Sequence, residues 1–281
     1  MVSIEVVRAL VGSQFPQWAG LAVSRFASTG TDNVIFRLGE EFSVRLPLGD
    51  NGAGQIELER RWLPVLAPHL ATAVPDQVAV GVPGLGFPYT WAVYRWLDGA
   101  NPDGLDDLVP DLADFVRALR RIDATGGPAA RFGGRGGSLR GRDVSEWIAQ
   151  LAEDYDPGRL TAVWQADRDV EEWGGPPVWV HGDLHPANLL ACDGRLRAVL
   201  DWSCLTIGDP AIDLMPAWLA MGPATRAEFR ERVGPDAATW RRARAWAFSF
   251  GLGAFAFYRE TNPYFGVMGK RAIDQVLADL A

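Results

Sequence analysis

Apolar and polar residues alternate along residues 23–48, and turn-forming residues interrupt the alternation twice. The alternation runs through VSRFAS, VIFRLG and FSVRLP, which are separated by the turn formers that end at Asn33 and by Glu40-Glu41. A period of two residues is typical of half-buried strands, and short polar gaps allow tight turns. This region therefore predicts two or three antiparallel strands.

A helical pattern follows. In QIELERRWLPVLAPHL, which starts at Gln55, apolar residues recur with charged residues between them. We expect a helix over about residues 55–66 that packs on the sheet and ends near Pro64 or Pro68, because proline cannot donate a helical hydrogen bond. Residues 49–54 are interpreted as a glycine-rich loop. Two more apolar segments, VAVGVP and YTWAVYRWL, are predicted to be strands.

The pattern changes after the turn-forming stretch 98–104. Leu112, Phe115, Val116 and Leu119 recur at helical spacing, and most of the remaining chain has a similar character. We therefore expect an α+β fold with two lobes. Residues 1–97 would form a small β-rich lobe with one main helix, ending in a connector, and residues 98–281 a larger, mainly helical lobe.

Composition narrows the function. The chain has 281 residues, 48% of them hydrophobic, which is enough for a sizeable core. A net charge of −8 argues against nonspecific binding to nucleic acid or anionic membranes, since both need a basic face. Cys192 and Cys204 are too few for a disulfide framework. No long apolar run and no leader-like N-terminus is present, so we expect no membrane span and a cytoplasmic location. Oligomeric state stays open.

The strongest chemical signal is a polar motif bounded by apolar strands. His181, Asp183 and Asn188 have the form H-x-D-x-x-x-x-N, and a second apolar strand ends in Asp201. Phosphoryl transfer needs a carboxylate to orient and deprotonate the attacking hydroxyl, and oxygen ligands for Mg²⁺. Asp183 can supply the first, and Asn188 and Asp201 the second. A tight turn at Asp193-Gly194 would return the chain to the same site.

Other functional classes are alternatives to a phosphotransferase. The Asp183-Leu184-His185 sequence matches a D-x-H metal motif of metallophosphoesterases. A two-metal site needs several more histidines, and His69 is the one histidine outside the motif. A nucleotide-binding pseudokinase would have no need to retain Asp183, Asn188 and Asp201 together. A kinase acting on a primary metabolite such as choline or homoserine remains open.

The stretch from about residue 178 to 218 resembles the catalytic segment of the aminoglycoside phosphotransferase family, whose members are related to protein kinases. The resemblance implies a protein-kinase-like fold, Asp183 as catalytic base, Asn188 and Asp201 as Mg²⁺ ligands, and His181 as a prop for the catalytic loop. The continuation Gly208-Asp209-Pro210-Ala211-Ile212-Asp213 also matches, and it implies structural roles for its two acids.

The resemblance extends upstream and implies a site for ATP, with GTP as an alternative. Arg45 stands where protein kinases have a phosphate-pairing lysine, and Glu59, with Glu57 as the alternative, would hold it. The Arg95 carbonyl and the Leu97 N–H would contact the base. The strand–turn–strand over the triphosphate would use Thr29, Gly30, Thr31 and Asn33, although a turn without a ligand is also open.

The acceptor would be a small molecule with a hydroxyl group, held against the C-terminal helices. Candidate contacts are His185, Tyr258, Glu260 and Asn262. Acidic residues are scattered there and share the region with several arginines. The sequence therefore allows a neutral or anionic sugar-bearing acceptor as readily as a polycationic one. We expect an antibiotic or related natural product. A protein substrate is disfavoured because only residues 202–208 separate Asp201 from Asp209.

Overall fold

The computed structural model describes residues 2–27, 32–130 and 134–280, and the chain divides into two compact units. The first unit comprises Met1–Ala100 and Arg197–Ser203. The second comprises Asn101–Leu196 and Cys204–Ala281. The chain therefore leaves the first unit after Ala100 and returns to it once, for a segment that contains Asp201.

The first unit is built on a five-stranded antiparallel sheet. Its elements are α1 (Ile4–Gln14), β1 (Val23–Phe26), β2 (Asn33–Leu38), β3 (Phe42–Pro47), α2 (Asp50–Leu66), β4 (Gln77–Gly81) and β5 (Trp91–Arg95). The strand order in the sheet is β1-β2-β3-β5-β4. The alternation predicted strands at β1, β2 and β3, and the structure confirms them.

The two faces of this sheet pack differently because side chains of a strand point alternately to opposite faces. Val44 and Leu46 of β3 belong to the core that includes Leu10 of α1. Arg45, between them, points to the other face, opposite Ala92 in the register of β3 and β5. Ala92 packs there with Ile56 of α2. The pleat thus places the Arg45 side chain on the side of α2.

Helix α2 begins earlier than the sequence predicted. Residues 50–54, interpreted above as a glycine-rich loop, form its first turn. The glycine at position 52 has a packing role: a Cβ there would lie 2.5 Å from the backbone oxygen of Asp32 and 2.8 Å from Asn33 Oδ1. Gly52 therefore lets the helix approach the start of β2 closely. The helix continues through Pro64 and ends at Leu66.

The second unit is mainly helical. Its helices are α3 (Val109–Arg121), α4 (Ser145–Gln150), α5 (Pro157–Arg168), α6 (Pro216–Leu219), α7 (Pro223–Val233), α8 (Ala237–Tyr258) and α9 (Pro263–Asp279). Strands β6 (Val178–Val180) and β9 (Thr206–Gly208) form an antiparallel pair, and β7 (Leu189–Cys192) leads into β8 (Arg195–Val199), through which the boundary between the units passes.

Two small residues bring α8 and α9 together. A Cβ at Gly251 would lie 2.9 Å from the Gly269 backbone oxygen, and a Cβ at Gly269 would lie 2.6 Å from the backbone nitrogen of Phe255. Only glycine permits this approach of two helix backbones. Within the described ranges, no helix has both the length and the apolar character required to cross a bilayer.

Candidate active site

The loop after β6 carries Asp183, and buried hydrogen bonds fix its backbone. Asp213 accepts hydrogen bonds from the backbone N–H groups of His181 and Gly182, both at 2.8 Å. The Asp183 N–H donates to Nδ1 of His181, which is fully buried, at 3.2 Å. Burial raises the pKa of Asp213, although these hydrogen bonds act in the opposite direction. Asp213 and the ring of His181 therefore both hold the backbone of this loop through hydrogen bonds.

Gly182 is required by the loop conformation. Its φ is +79°, in the left-handed region, and a Cβ would lie 2.9 Å from the backbone oxygen of Cys204. A side chain at this position would meet both strain and a clash. The His181-Gly182-Asp183 sequence thus fixes the direction in which the Asp183 carboxylate points.

The two oxygens of the Asp183 carboxylate have different neighbours. Oδ2 lies 3.4 Å from Asn188 Nδ2 and 3.5 Å from His185 Nε2. Oδ1 accepts a hydrogen bond from Arg135 Nη1, which also donates to the Gly182 carbonyl at 3.1 Å. Burial alone would raise the pKa of Asp183, but the charges of Arg135 and His185 and their hydrogen bonds hold it below its usual range. The Asp183 carboxylate is therefore ionised while Arg135 is bound to it.

Asn188 lies in a 3₁₀ turn, Pro186–Asn188, and its amide is oriented by the loop. Its Nδ2 donates to the backbone oxygen of Asp183 at 2.9 Å, which leaves Oδ1 as the atom able to bind a cation. The side chain of Asn101 fixes the same turn, because it donates to the backbone oxygens of Ala187 and Leu189 at 2.9 and 2.8 Å. The sequence did not indicate this role for Asn101.

The first unit contains a buried ion pair. Arg45 Nη1 donates to both carboxylate oxygens of Glu59 at 2.9 Å, with the arginine side chain 13% exposed and that of Glu59 fully buried. Tyr94 donates its hydroxyl to Glu59 at 2.7 Å and places its ring beneath the guanidinium. Glu57 instead pairs with Arg60 at the surface. Burial works to lower the pKa of Arg45, but the charges of Glu59, Tyr94 and Asp201 raise it above its usual value.

Gln55 links this ion pair to Asp201. Its Nε2 donates to Glu59 Oε1 at 2.9 Å and to Asp201 Oδ1 at 3.0 Å, while its Oε1 accepts from Asn33 Nδ2 at 2.8 Å. Asp201 has a φ of +56°, a conformation that non-glycine residues adopt only where the surroundings impose it. Asn33, Gln55, Glu59 and Asp201 therefore form one polar network within the first unit.

Each of the two units offers an oxygen donor of the kind that Mg²⁺ prefers. Asn188 offers an amide oxygen, and Asp201 a carboxylate whose Oδ1 is already oriented by Gln55 and by the N–H of Ser203 at 3.3 Å. Mg²⁺ prefers oxygen ligands and usually takes one or two from the protein, with water and phosphate oxygens completing its shell. Among the described residues, no cluster of three or more histidine, cysteine, aspartate or glutamate side chains is arranged around a possible metal position.

The remaining predicted residues have varied positions. Thr29, Gly30 and Thr31 lie outside the described residues. Arg95 ends β5 and pairs with Asp76 at 3.2 Å, and Leu97 follows in the connector. His185 is buried with its ring 5.4 Å from Phe265, which also contacts Tyr258 at 5.5 Å. Glu260 is exposed, and Asn262 donates its backbone N–H to the Tyr258 carbonyl. The structure therefore gathers His185 and Tyr258 around Phe265.

Besides Asn101, the sequence did not indicate Gln55, Tyr94 as a partner of Glu59, or Arg135. Gln55 and Tyr94 lie on the face of the first unit that Arg45 occupies, which the alternation of β3 and β5 could have indicated. Arg135 lies in the segment GGRGGSLRG, and nothing in its local pattern distinguishes it from Arg140 in the same segment.

Two sequence comparisons relate the chain to known proteins. The model of a family described as the phosphotransferase enzyme family matches residues 23–246. The uncharacterized protein YcbJ of Bacillus subtilis (strain 168) is 27% identical over 211 residues, which cover 66% of this chain and 67% of that protein.

Solved structures of similar fold include an aminoglycoside phosphotransferase and a macrolide phosphotransferase. The GDP and kanamycin complex of APH(2″)-IIIa has a TM-score of 0.74 at 18% identity and covers 97% of this chain and 98% of that one. Macrolide 2′-phosphotransferase MphH from Brachybacterium faecium has a TM-score of 0.66 at 23% identity, with 96% and 97% covered. These likenesses confirm the predicted two-lobed, protein-kinase-like α+β fold.

Proposed function

The chain belongs to the phosphotransferase enzyme family, and from that premise we propose that it transfers the γ-phosphoryl group of ATP or GTP to a hydroxyl of a small molecule. The observation that carries this proposal is the loop at residues 181–188. It holds an ionised carboxylate on a backbone that Asp213 fixes, beside the oriented amide of Asn188.

In the proposed reaction, Asp183 orients the acceptor hydroxyl and receives its proton as the oxygen attacks the γ-phosphorus. The bond from that phosphorus to the bridging oxygen breaks, and the nucleoside diphosphate leaves with the electron pair. Because this transition state is loose, the residues contribute mainly by positioning and by electrostatic stabilisation. His181 and Asp213 contribute indirectly, since they hold the loop that carries Asp183.

Asn188 and Asp201 would hold Mg²⁺, which when bound offsets the negative charge of the phosphates. Arg45 would bind phosphate oxygens of the nucleotide through its guanidinium donors. Glu59 accepts from Nη1 alone among the Arg45 nitrogens in the contacts described above. A planar guanidinium can bind two acceptors at once, so pairing with Glu59 is compatible with a phosphate contact.

For the acceptor we propose a sugar or sugar-like ring of a natural product, in a resistance or self-protection role. Two structural neighbours support this class: one is described in complex with kanamycin, and another is a macrolide 2′-phosphotransferase. The aromatic side chains of Tyr258 and Phe265 offer faces against which a ring can pack. To identify the acceptor, a panel of compounds is screened by thermal shift and by nucleotide turnover. The panel includes aminoglycosides, macrolides, nucleoside antibiotics, choline and homoserine.

The decisive experiment compares Asp183→Asn with Asp201→Ala. We expect Asp183→Asn to lower kcat by at least about a hundredfold with little change in nucleotide affinity, because a base acts in the transition state. Asp201→Ala should lose Mg²⁺-dependent nucleotide binding as well. Asp193→Asn, at an exposed turn, is the matched control and should resemble the wild type.

Nucleotide release measures turnover, titration calorimetry measures nucleotide binding, and mass spectrometry identifies the product. Near-normal turnover of Asp183→Asn would refute the mechanism. Turnover confined to choline or homoserine would support a primary-metabolite kinase instead. Mg²⁺-dependent nucleotide binding with no turnover of any acceptor would indicate a pseudokinase.

A further inference from the structure

An arginine contacts the residue proposed as the base. Arg135 donates to Asp183 Oδ1, while Asn188 and His185 lie near Oδ2. The guanidinium thus binds the carboxylate edge that faces away from the proposed Mg²⁺ ligand. This arrangement favours a role for Arg135 toward the acceptor over a role toward the nucleotide phosphates.

The contact between Arg135 and Asp183 opposes the proposed role of Asp183 as a base. A carboxylate bound to a guanidinium is a weak proton acceptor, because proton transfer to it would break a charge-assisted hydrogen bond. The same carboxylate must also bind the acceptor hydroxyl. The reaction is therefore easier if some group of the bound acceptor offers Arg135 another anionic partner.

A second cation lies near Arg135. Arg142 stacks on the rings of Trp147 and Trp246, with its guanidinium carbon 5.5 and 5.2 Å from their centres, and its Nε donates to Ser249 Oγ. Burial, and then repulsion by Arg135, lowers the pKa of Arg142 to about 10, so it stays charged at neutral pH. Arg135, which contacts Asp183, therefore has a second guanidinium close enough to repel it.

Polar atoms beside these cations are available for a ligand. Trp246 Nε1 and His185 Nδ1 are buried without a hydrogen-bond partner among the described residues, although buried polar atoms are nearly always paired. Trp246 is the residue on which Arg142 stacks. An acceptor with several oxygen atoms could satisfy the indole N–H.

Two carboxylates beside the segment that carries Arg135 already have partners. Asp209 pairs with Arg242, and Glu172 accepts from Ser138 and lies 3.8 Å from Arg140. Helix α8, which supplies Trp246 and Ser249, contains no aspartate or glutamate. On α9, Asp274 pairs with Lys270 and accepts from Tyr155. Asp103 acts on Tyr264, and its charge, after burial, raises the pKa of that hydroxyl. A polycationic acceptor would have to compete with these partners for the carboxylates.

We propose that Arg135 selects acceptors that carry an anionic group, such as a carboxylate, beside the hydroxyl that is phosphorylated, and that this group takes Arg135 from Asp183 when the acceptor binds. The proposal rests on the proposed function and narrows its substrate class. Once the Arg135 guanidinium has left it, the Asp183 carboxylate can orient the acceptor hydroxyl and receive its proton.

The test uses pairs of acceptors that differ in one carboxylate: glycerate and glycerol, gluconate and glucitol, glucuronate and glucose. Wild type, Arg135→Gln, Arg135→Lys and Arg140→Gln are compared. Arg140 is the matched control, because it lies in the same segment, is exposed, and approaches Glu172 at 3.8 Å. The readouts are kcat and KM for each acceptor, KM for the nucleotide, and the thermal shift that each acceptor causes.

We expect the wild type to favour the anionic member of a pair by at least about tenfold in kcat/KM, or in binding where turnover is too slow to measure. Arg135→Gln should lose this preference, Arg135→Lys should retain part of it, and Arg140→Gln should retain all of it. The nucleotide KM should respond little to Arg135→Gln.

Three results would overturn the inference: no preference for the anionic member, a preference that survives in Arg135→Gln, or no binding and no turnover of any anionic member. An equal rise in nucleotide KM with every acceptor in Arg135→Gln would assign the residue to the phosphates instead. Failure of the proposed function is recognised separately, by loss of Mg²⁺-dependent nucleotide binding in the wild type.

Discussion

Glu57 and Glu59 lie two positions apart on α2, yet their surroundings differ completely. The Glu59 side chain is fully buried against Arg45, whereas those of Glu57 and its partner Arg60 are 60% and 55% exposed. Removing one member of a buried ion pair leaves the other charge without compensation, while exposed pairs contribute little. We therefore expect Glu59→Ala to lower the free energy of unfolding by about 3–5 kcal/mol.

Urea denaturation measures this effect, and Glu57→Ala on the same helix is the control, with a stability close to that of the wild type. Glu59→Ala should also raise the nucleotide KM, because Arg45 would lose the group that orients it. Equal losses of stability in the two variants would show that burial of Glu59 is not what distinguishes them.

Arg45 itself should affect the nucleotide more than the acceptor. If its guanidinium binds phosphate oxygens, Arg45→Ala raises the nucleotide KM at least about tenfold, since charge-assisted hydrogen bonds are lost, and the acceptor KM changes little. Steady-state kinetics with each substrate varied in turn measures both constants, and Arg60→Ala is the surface control. A change confined to the acceptor KM would place Arg45 elsewhere in the reaction.

At this scale the sequence identified residue types better than partners. It proposed Glu59 as the partner of Arg45 and kept Glu57 as the alternative, because both are charged positions on one helix. Burial distinguishes them, and burial depends on how α2 lies across the sheet. Arg135 was missed for a related reason: its contact with Asp183 joins positions that are 48 apart along the chain.

Helix α2 shows how packing overrides a local signal. Its glycines suggested a loop, but Gly52 permits close approach to Asp32 and Asn33, and the helix begins at Asp50. The strands were easier to predict, because alternation reports directly which side chains face the core. Contacts with a distant part of the chain, which decide where α2 begins, leave no such period.

Pro64 provides a test on the same helix. It lies inside α2, is exposed, and cannot donate the hydrogen bond that a helical residue normally makes. We expect Pro64→Ala to raise the free energy of unfolding by about 1–3 kcal/mol, since proline in a helix interior costs about 3 kcal/mol and part of the gain is offset in the unfolded chain.

Thermal and urea denaturation of Pro64→Ala measure the change. The control is Pro223→Ala, because proline in the first turn of a helix such as α7 removes no helical hydrogen bond. A loss of stability in Pro64→Ala would mean that α2 requires the local geometry that proline imposes.

The turn between β7 and β8 is a second element whose sequence and conformation agree. Asp193 and Gly194 have φ values of +51° and +69°, as a two-residue hairpin turn with both central residues left-handed requires. Gly194→Ala should therefore destabilise the protein by more than about 1 kcal/mol. Gly174→Ala is the control, because a Cβ there meets nothing within 4 Å and no left-handed φ is involved. Equal stabilities of these two variants would contradict the argument.

For the whole molecule, the hydrophobic pattern predicted the fold class and the resemblance of residues 178–218 predicted the family. The path of the chain between the two units was harder to predict. Residues 197–203 belong to the first unit, although almost a hundred residues of the second unit precede them. The sequence showed an apolar strand ending in Asp201, which predicted chemistry at that position. It did not show which unit would bury the strand, because the apolar pattern of a strand does not indicate which part of the chain packs against it.

This course of the chain predicts how the first unit folds. Ala73 donates its N–H to the Arg197 carbonyl at 3.1 Å and accepts from the Val199 N–H at 2.9 Å, and both Val199 and Trp202 are buried. A fragment of residues 1–100 lacks this segment, so we expect it to unfold at lower urea concentration when alone than when a peptide of residues 195–205 is added, since a ligand that binds only the folded state stabilises it. Circular dichroism measures the transition, and the same peptide with Val199→Asp and Trp202→Asp is the control.

Asp201→Asn in the peptide should still support folding, because the apolar side chains supply most of the buried surface, but should abolish Mg²⁺-dependent nucleotide binding to the assembled fragment. An unfolding midpoint independent of the unsubstituted peptide would show that residues 197–203 do not complete the first unit.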